Sequence, residues 1–176
     1  MQHTRNRSIL AAVFALALLA VAVPGFGQKV MLNPSNQTGN AVAGGGNEAQ
    51  FAMINANLAA AILKAAGFDV KVDQSFDNSA ANAKSWGAQA YVSMHTNAGG
   101  GHGTESYHHP DTPNKLATAV QNALIAKLPF ASRGVKSADF QVIRQAGKYY
   151  GIPATLNEAI FHDCGANSGF KGHPPS

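Results

Sequence analysis

The sequence predicts a single α/β domain in which a twisted, mainly parallel or mixed sheet is flanked by helices. Two observations carry that reading. Short apolar runs of strand length alternate along the chain with longer segments whose apolar residues recur every three or four positions. The breaks between them hold Gly, Pro, Asn and Ser, residues that turn or cap a chain. Strands and helices alternating at these lengths build a sheet covered on its faces by helices.

Each element has its own local justification. Lys29 to Asn33 (KVMLN) reads as the first strand, ended by Pro34 and a polar loop. From Asn47 the pattern turns helical, with Asn47 as N-cap and Gly67 as the stop. Phe51, Ile54, Leu58, Ile62 and Ala65 supply its apolar face. Phe68 to Val72 is the second strand, and Ser79 to Trp86 a short helix leading into the strand Ala90 to His95. Extended structure resumes at Thr104 to Tyr107 after a run of glycines. Leu116, Val120, Ala123, Leu124 and Leu128 mark a helix that opens after Pro113. Ala154 to Asn157 is the last strand, with Glu158 at its C-terminal end.

The flanks bound the setting. Arg5 and Arg7 precede an uncharged run from Ile9 to Val23, followed by Pro24 and Gly25-Phe26-Gly27, the pattern of a secretory signal over residues 1–27. The run is short for a membrane span, so the expected product has no membrane segment and is secreted, periplasmic or held in the cell envelope. Removing the signal leaves 149 of the 176 residues, with one domain over 28–163 and a Gly/Pro-rich, aperiodic tail over 164–176 that reads as disordered. Without Arg5 and Arg7 the basic residues exceed the acidic by only two, which argues against a nucleic-acid partner. The one cysteine, Cys164, excludes an internal disulfide, and beside His162 on the tail it reads as a thiol without a catalytic role.

Three residues fall at one edge of the expected sheet. Glu48 opens the first long helix directly after Gly44-Gly45-Gly46, His95 ends a strand, and Glu158 ends another. Open α/β sheets place ligands at the carboxyl ends of their strands. A carboxylate with an imidazole can hold a zinc ion, and a second carboxylate kept off the metal can take a proton from water. The chain has no G-x-S-x-G elbow, which argues against a serine hydrolase.

These residues carry a resemblance. From about Lys29 to about Phe161 the sequence is similar to the zinc-dependent N-acetylmuramoyl-L-alanine amidases of the Amidase_3 type, which cut peptidoglycan between the lactyl group of MurNAc and the first alanine of the stem peptide. YVSMHTNA at 91–98 resembles the family's strand ending in S-x-H-x-N-A, which implies that His95 is a zinc ligand. Glu48 after the glycine loop resembles the family's glutamate ligand, and IPATLNEAIF at 152–161 its P-x-x-x-x-E segment, which implies that Glu158 is the catalytic carboxylate. GTESYHHP at 103–110 resembles the strand after the metal loop, and Arg133-Gly134-Val135 the stretch before the substrate-facing loop.

Where the family has a histidine in L-D-P-G-H-G, this chain reads MLNPSNQTGN. Asn36 occupies that position without a gap and Gln37 with a shift of one. A branch of the family reading S-P-S-x-Q, with a GGG-x-E segment, favours Gln37, whose longer amide can reach a metal. The resemblance thus implies a monomeric peptidoglycan amidase with Zn2+ held by Glu48, His95 and Gln37, acting on the MurNAc-peptide. The missing histidine also suits an inactive amidase fold that binds peptidoglycan or a regulator. His102, His108 and His109 are expected at the surface or substrate edge, Glu105 as a half-exposed strand residue, and Ser93 and Asn97 as supports of His95.

Overall fold

The computed structural model describes residues 27–42, 45–128 and 130–163. Most of the expected leader, Gly44, the 164–176 tail and Cys164 lie outside the described residues. Six strands, β1 (Lys29–Pro34), β2 (Asp69–Val72), β3 (Ala90–Asn97), β4 (Thr104–His108), β5 (Ser132–Ser137) and β6 (Ala154–Phe161), form one sheet in the order β2-β1-β3-β6-β4-β5. All neighbours are parallel except β4 and β6, so β4 and β5 run against the other four strands. The carboxyl ends of β1, β3 and β6 therefore share one edge with the beginnings of β4 and β5.

Helices α1 (Glu48–Ala65) and α3 (Lys115–Lys127) cover one face. Phe51, Ala56, Ala59 and Leu63 of α1 and Leu116, Val120 and Leu124 of α3 pack there on Val30, Leu32, Val92, Met94 and Ile160. On the opposite face, α2 (Ser79–Trp86) and α4 (Gln141–Ile143, continuing as a wider π turn through Tyr149) pack on Met31, Tyr91, Ala154 and Leu156. Strand alternation accounts for the division: Val30 and Leu32 turn to one side and Met31 to the other. Burial on both faces explains why β1 reads as a nearly continuous apolar run.

The expected start of α1 is present as a reciprocal cap. Asn47 Oδ1 accepts from Gln50 N at 3.0 Å, and Gln50 Oε1 accepts from Asn47 N at 3.2 Å. The expected core face of this helix is corrected. Ile54, Leu58 and Ile62 are 36, 37 and 37% exposed, while Ala52, Asn55, Ala56, Ala59, Ala60 and Leu63 are buried. Alanines let the helix axis approach the sheet closely, and the larger aliphatics are displaced to its flank. Spacing alone points to the stripe of larger residues because alanine contributes little to an apolar pattern.

Two further differences concern the sheet. Strand β3 runs on to Asn97, which puts His95 inside its strand rather than at its end, and β6 runs on to Phe161, which does the same for Glu158. Pairing with β3 on one side and β4 on the other holds this stretch extended whatever its local preference. Strand β5 and helix α4 have no counterpart in the sequence pattern. SRGVKS lacks an apolar alternation because β5 lies at the sheet edge, and α4 is too short to show a periodicity.

Candidate active site

The loop after β1 folds back on the first turn of α1. Glu48 N donates to Asn40 O at 2.9 Å and Ala49 N to Gln37 O at 3.2 Å. These bonds satisfy two of the amides that a helix start leaves open, and they fix Gln37 and Asn40 beside the Glu48 side chain. Glu48 is fully buried. Its Oε1 stands 3.0 Å from His95 Nδ1 and accepts from Thr96 N at 3.2 Å, while its Oε2 accepts from Asn40 Nδ2 at 2.6 Å. Burial alone would raise the Glu48 carboxyl, but the hydrogen bonds of His95 and Asn40 and the imidazole's charge reverse the effect and hold it below the usual carboxylate value.

Asn40 can only donate to that carboxylate, so the same amide nitrogen takes the oxygen of Gln37, Nδ2 to Oε1 at 2.7 Å. Gln37 Nε2 is thereby turned toward His95 Nδ1 at 3.4 Å. Nδ1 faces an acceptor on Glu48 and a donor on Gln37, and one tautomer can serve only one of them. Asn36, the other occupant considered for this corner, is exposed and makes no hydrogen bond to Glu48 or His95. Asn40 is the member of this group that sequence reasoning missed; a lone asparagine in a polar loop gives no spacing signal.

Glu158 lies opposite His95 in the pairing of β3 with β6, and opposite Glu105 in the pairing of β6 with β4. A row of His95, Glu158 and Glu105 thus crosses three strands. Both carboxylates are buried, and they differ in the partners that set their acidity. Glu105 Oε2 is held by Arg133 Nε at 2.7 Å and by Lys136 Nζ, and its Oε1 accepts from Asn97 Nδ2 at 2.6 Å and Tyr107 OH at 2.8 Å. Burial opposes ionisation there, and the bonds to Lys136, Arg133 and Tyr107 outweigh it, so the Glu105 carboxyl stays below its ordinary value. Glu158 Oε2 is buried with no hydrogen-bond partner among the described residues. Burial, joined by the charges of Glu48 and Glu105 and opposed by that of His95, pushes its carboxyl up to about 7. Adjacent carboxylates with environments this different take different roles: one is a fixed charge and the other can exchange a proton near neutrality.

The expectation that Glu105 is half exposed is therefore corrected; it is 2% exposed, because the long side chains of β5 close over it. Asn97 does stand at the site's margin, on Glu105, whereas Ser93 donates to Asn33 Oδ1 at 3.1 Å rather than to His95. His108 Nδ1 lies 2.9 Å from His109 O, and His109 Nε2 lies 3.1 Å from Asp139 Oδ1. Neither reaches Glu48 or His95. His102 is exposed in the glycine loop. Asp163 closes that loop, accepting from Gly99 N at 2.6 Å and Gly100 N at 3.2 Å. A Cβ at Gly101 would meet the Phe161 ring at 2.6 Å, so only glycine allows the loop to pass there.

The model of the family Amidase_3, N-acetylmuramoyl-L-alanine amidase, matches residues 21–167, and the chain belongs to that family. It is 39% identical over 84 residues to a sporulation-specific N-acetylmuramoyl-L-alanine amidase of Bacillus subtilis, a match covering 46% of this chain and 31% of the relative. It is 37% identical over 84 residues to the N-acetylmuramoyl-L-alanine amidase CwlM of Bacillus licheniformis, covering 46% of this chain and 32% of the relative. The chain thus spans about a third of the length of these curated relatives. Among solved structures, the amidase AmiC2 of Nostoc punctiforme shares the fold, with a TM-score of 0.66 and 24% identity over 78% of this chain and 82% of that one.

Proposed function

We propose that the protein hydrolyses the amide bond between the lactyl group of MurNAc and the L-alanine of the peptidoglycan stem peptide. Membership of the amidase family supports the reaction. The observation that carries it for this chain is the buried Glu158 Oε2 without a partner among the described residues, beside the buried Glu48 carboxylate and its His95 imidazole. With Arg5, Arg7 and the apolar run behind them, we read the chain as exported to the cell envelope and acting there as a monomer.

The donor set fits a zinc ion at this edge. Among the described residues no three His, Cys, Asp or Glu side chains gather to hold a metal, and the third donor we propose is an amide. Gln37 is the amide at hand. Two ligands of one tetrahedral zinc stand roughly 3.3 Å apart, close to the 3.0 Å from Glu48 Oε1 to His95 Nδ1; Gln37 shows His95 its Nε2 at 3.4 Å and Asn40 its Oε1, so its amide would turn over to offer the oxygen. Glu48, His95 and Gln37 would hold the ion, with Gln37 the weak member because a neutral amide oxygen binds zinc less well than an imidazole.

When bound, the metal supplies Lewis acidity toward water and toward the scissile carbonyl. Glu158 accepts the proton of the attacking water and returns it to the leaving amine of L-alanine. A carboxyl near 7 is suited to both transfers at neutral pH. Asn40 and the Thr96 amide hold the Glu48 carboxylate in place, and Asn97, Tyr107, Arg133 and Lys136 keep Glu105 from competing with Glu158 for the proton.

The test is release of L-alanine amino termini from purified peptidoglycan. The zinc-loaded protein should release them, a chelator should stop it, and His95→Ala should lose both zinc and activity. A folded, zinc-loaded protein that binds the wall but releases nothing contradicts the proposal and leaves an inactive, wall-binding amidase fold.

A further inference from the structure

Strand β5 carries more positive charge than holding Glu105 requires. Thr104 pairs with Ser132 and Ser106 with Val135, so over this stretch β5 holds one residue more than β4. Such a bulge breaks strict alternation and re-aims side chains. Gly134 lies within it at φ +85°, a conformation that residues with a side chain rarely adopt. Arg133 and Lys136 are three positions apart and would face opposite sides of a regular strand. Through the bulge both reach the same oxygen of Glu105.

Two cations therefore meet one buried carboxylate, leaving a positive charge in excess. Their side chains are 38 and 39% exposed, against 3% for Glu105. Arg133 is braced on two sides, its Nε on Glu105 at 2.7 Å and its guanidinium over the Phe161 ring at 5.0 Å. Its terminal amino groups make no hydrogen bond among the described residues. A guanidinium fixed in this way presents a planar fork to an incoming carboxylate, and a lysine beside it adds a point charge. Glu105 lies directly across from Glu158, so the excess charge stands one to two strand spacings, roughly 5–10 Å, from the proposed base. Two residues of extended peptide span about 7 Å.

Resting on the amidase reading, we propose that Arg133 and Lys136 form a subsite for a carboxylate of the stem peptide one or two residues beyond the scissile amide. They thereby select an acidic stem over its amidated form. Glu105 acts here as a positioning residue, since it holds the two cations without touching substrate.

Two synthetic substrates that differ only in the α-group of the second residue test the proposal, N-acetylmuramoyl-L-alanyl-D-glutamate and N-acetylmuramoyl-L-alanyl-D-isoglutamine, each with its γ-carboxyl capped as the methylamide so that the α-carboxylate is the difference between them. The zinc-loaded full chain should show a kcat/KM for the acid higher by roughly tenfold, the scale of one well-placed ionic contact. The ratio should fall toward one in Lys136→Gln and toward an intermediate value in Arg133→Lys, which keeps the charge and loses the fork. Circular dichroism identifies a variant that fails to fold, and then the wild-type ratio decides alone. Equal kcat/KM on both substrates in the wild type, or a preference that survives in both folded variants, overturns the subsite and leaves the amidase reading intact. Hydrolysis of neither substrate overturns both.

Discussion

At the scale of single residues the site is defined by two contrasts. The first lies between Glu158 and Glu105, neighbours across the β6–β4 pair with opposite acid–base character. An unfolded glutamate titrates near about 4.3, and burial raises Glu158 to about 7. Ionising it costs more in the folded chain than in the unfolded one, so stability falls as pH rises from about 4.3 to about 7, and the full loss remains above that. At about 1.4 kcal/mol per pKa unit the loss is roughly 3–4 kcal/mol. Glu158→Gln removes the charge. Urea unfolding in chelator should therefore show the variant gaining on the wild type by about that amount between pH 4.5 and pH 8, and a difference that does not change with pH would contradict the assignment. A destabilised base of this kind is the trade of stability for function that active sites make.

The second contrast concerns the proposed metal corner, where the Gln37 amide lies 3.4 Å from His95 Nδ1 and Asn36 makes no hydrogen bond to Glu48 or His95 among the described residues. Gln37→His should tighten zinc on the order of tenfold or more in calorimetric titration, and Asn36→His should not. Equal tightening by both would show that the loop presents position 36 instead. Much of this constellation was legible in the sequence: Glu48, His95 and Glu158 were placed by their positions at element ends, and the structure brings His95 beside Glu48 and opposite Glu158. The partners were not. Asn40 sits in a polar loop that gives no spacing signal, Arg133 and Lys136 act through contacts 28 and 31 residues away in sequence, and Glu105 reads as an ordinary strand glutamate until a neighbouring strand is known to cover it.

At the scale of elements, strands and caps were easier to read than faces. Asn47 is the N-cap of α1 because its side chain and that of Gln50 exchange hydrogen bonds with the chain, a local matter visible in three residues. Which face of α1 is buried is a matter of packing distance, and the sheet selected the alanine face. The two faces make different predictions. Leu63→Ala, at a fully buried position, should cost about 2–5 kcal/mol, while Leu58→Ala on the flank should cost clearly less, about 1 kcal/mol. Denaturant midpoints decide between them, and equal losses would restore the face that spacing suggests. Bulges likewise escaped the sequence: β5 gains its extra residue at Gly134, and β6 gains one between Glu158 and Phe161, where His95 and Asn97 bracket a shift in register. Both lie beside the site, where bulges re-aim side chains.

At the scale of the molecule, strand order does the assembling. Because β4 and β5 run against β1, β3 and β6, the ends of three strands and the beginnings of two meet at one edge, and three strands distant in sequence, β3, β6 and β4, supply one row of groups. The α/β class followed from the alternation of strand-like and helical runs, but the reversed pair could not, since nothing in a strand's own pattern records its direction. The proposed hydrolysis rests on Glu158 as a proton acceptor that would not need to touch the metal. The most direct measurement compares wild type and Glu158→Gln, both zinc-loaded, for release of L-alanine amino termini and for co-sedimentation with peptidoglycan. Glu158→Gln should lose about a hundredfold or more in hydrolysis, the scale of general-base catalysis, with zinc content and wall binding near those of the wild type. Hydrolysis at the wild-type rate by Glu158→Gln would contradict the account.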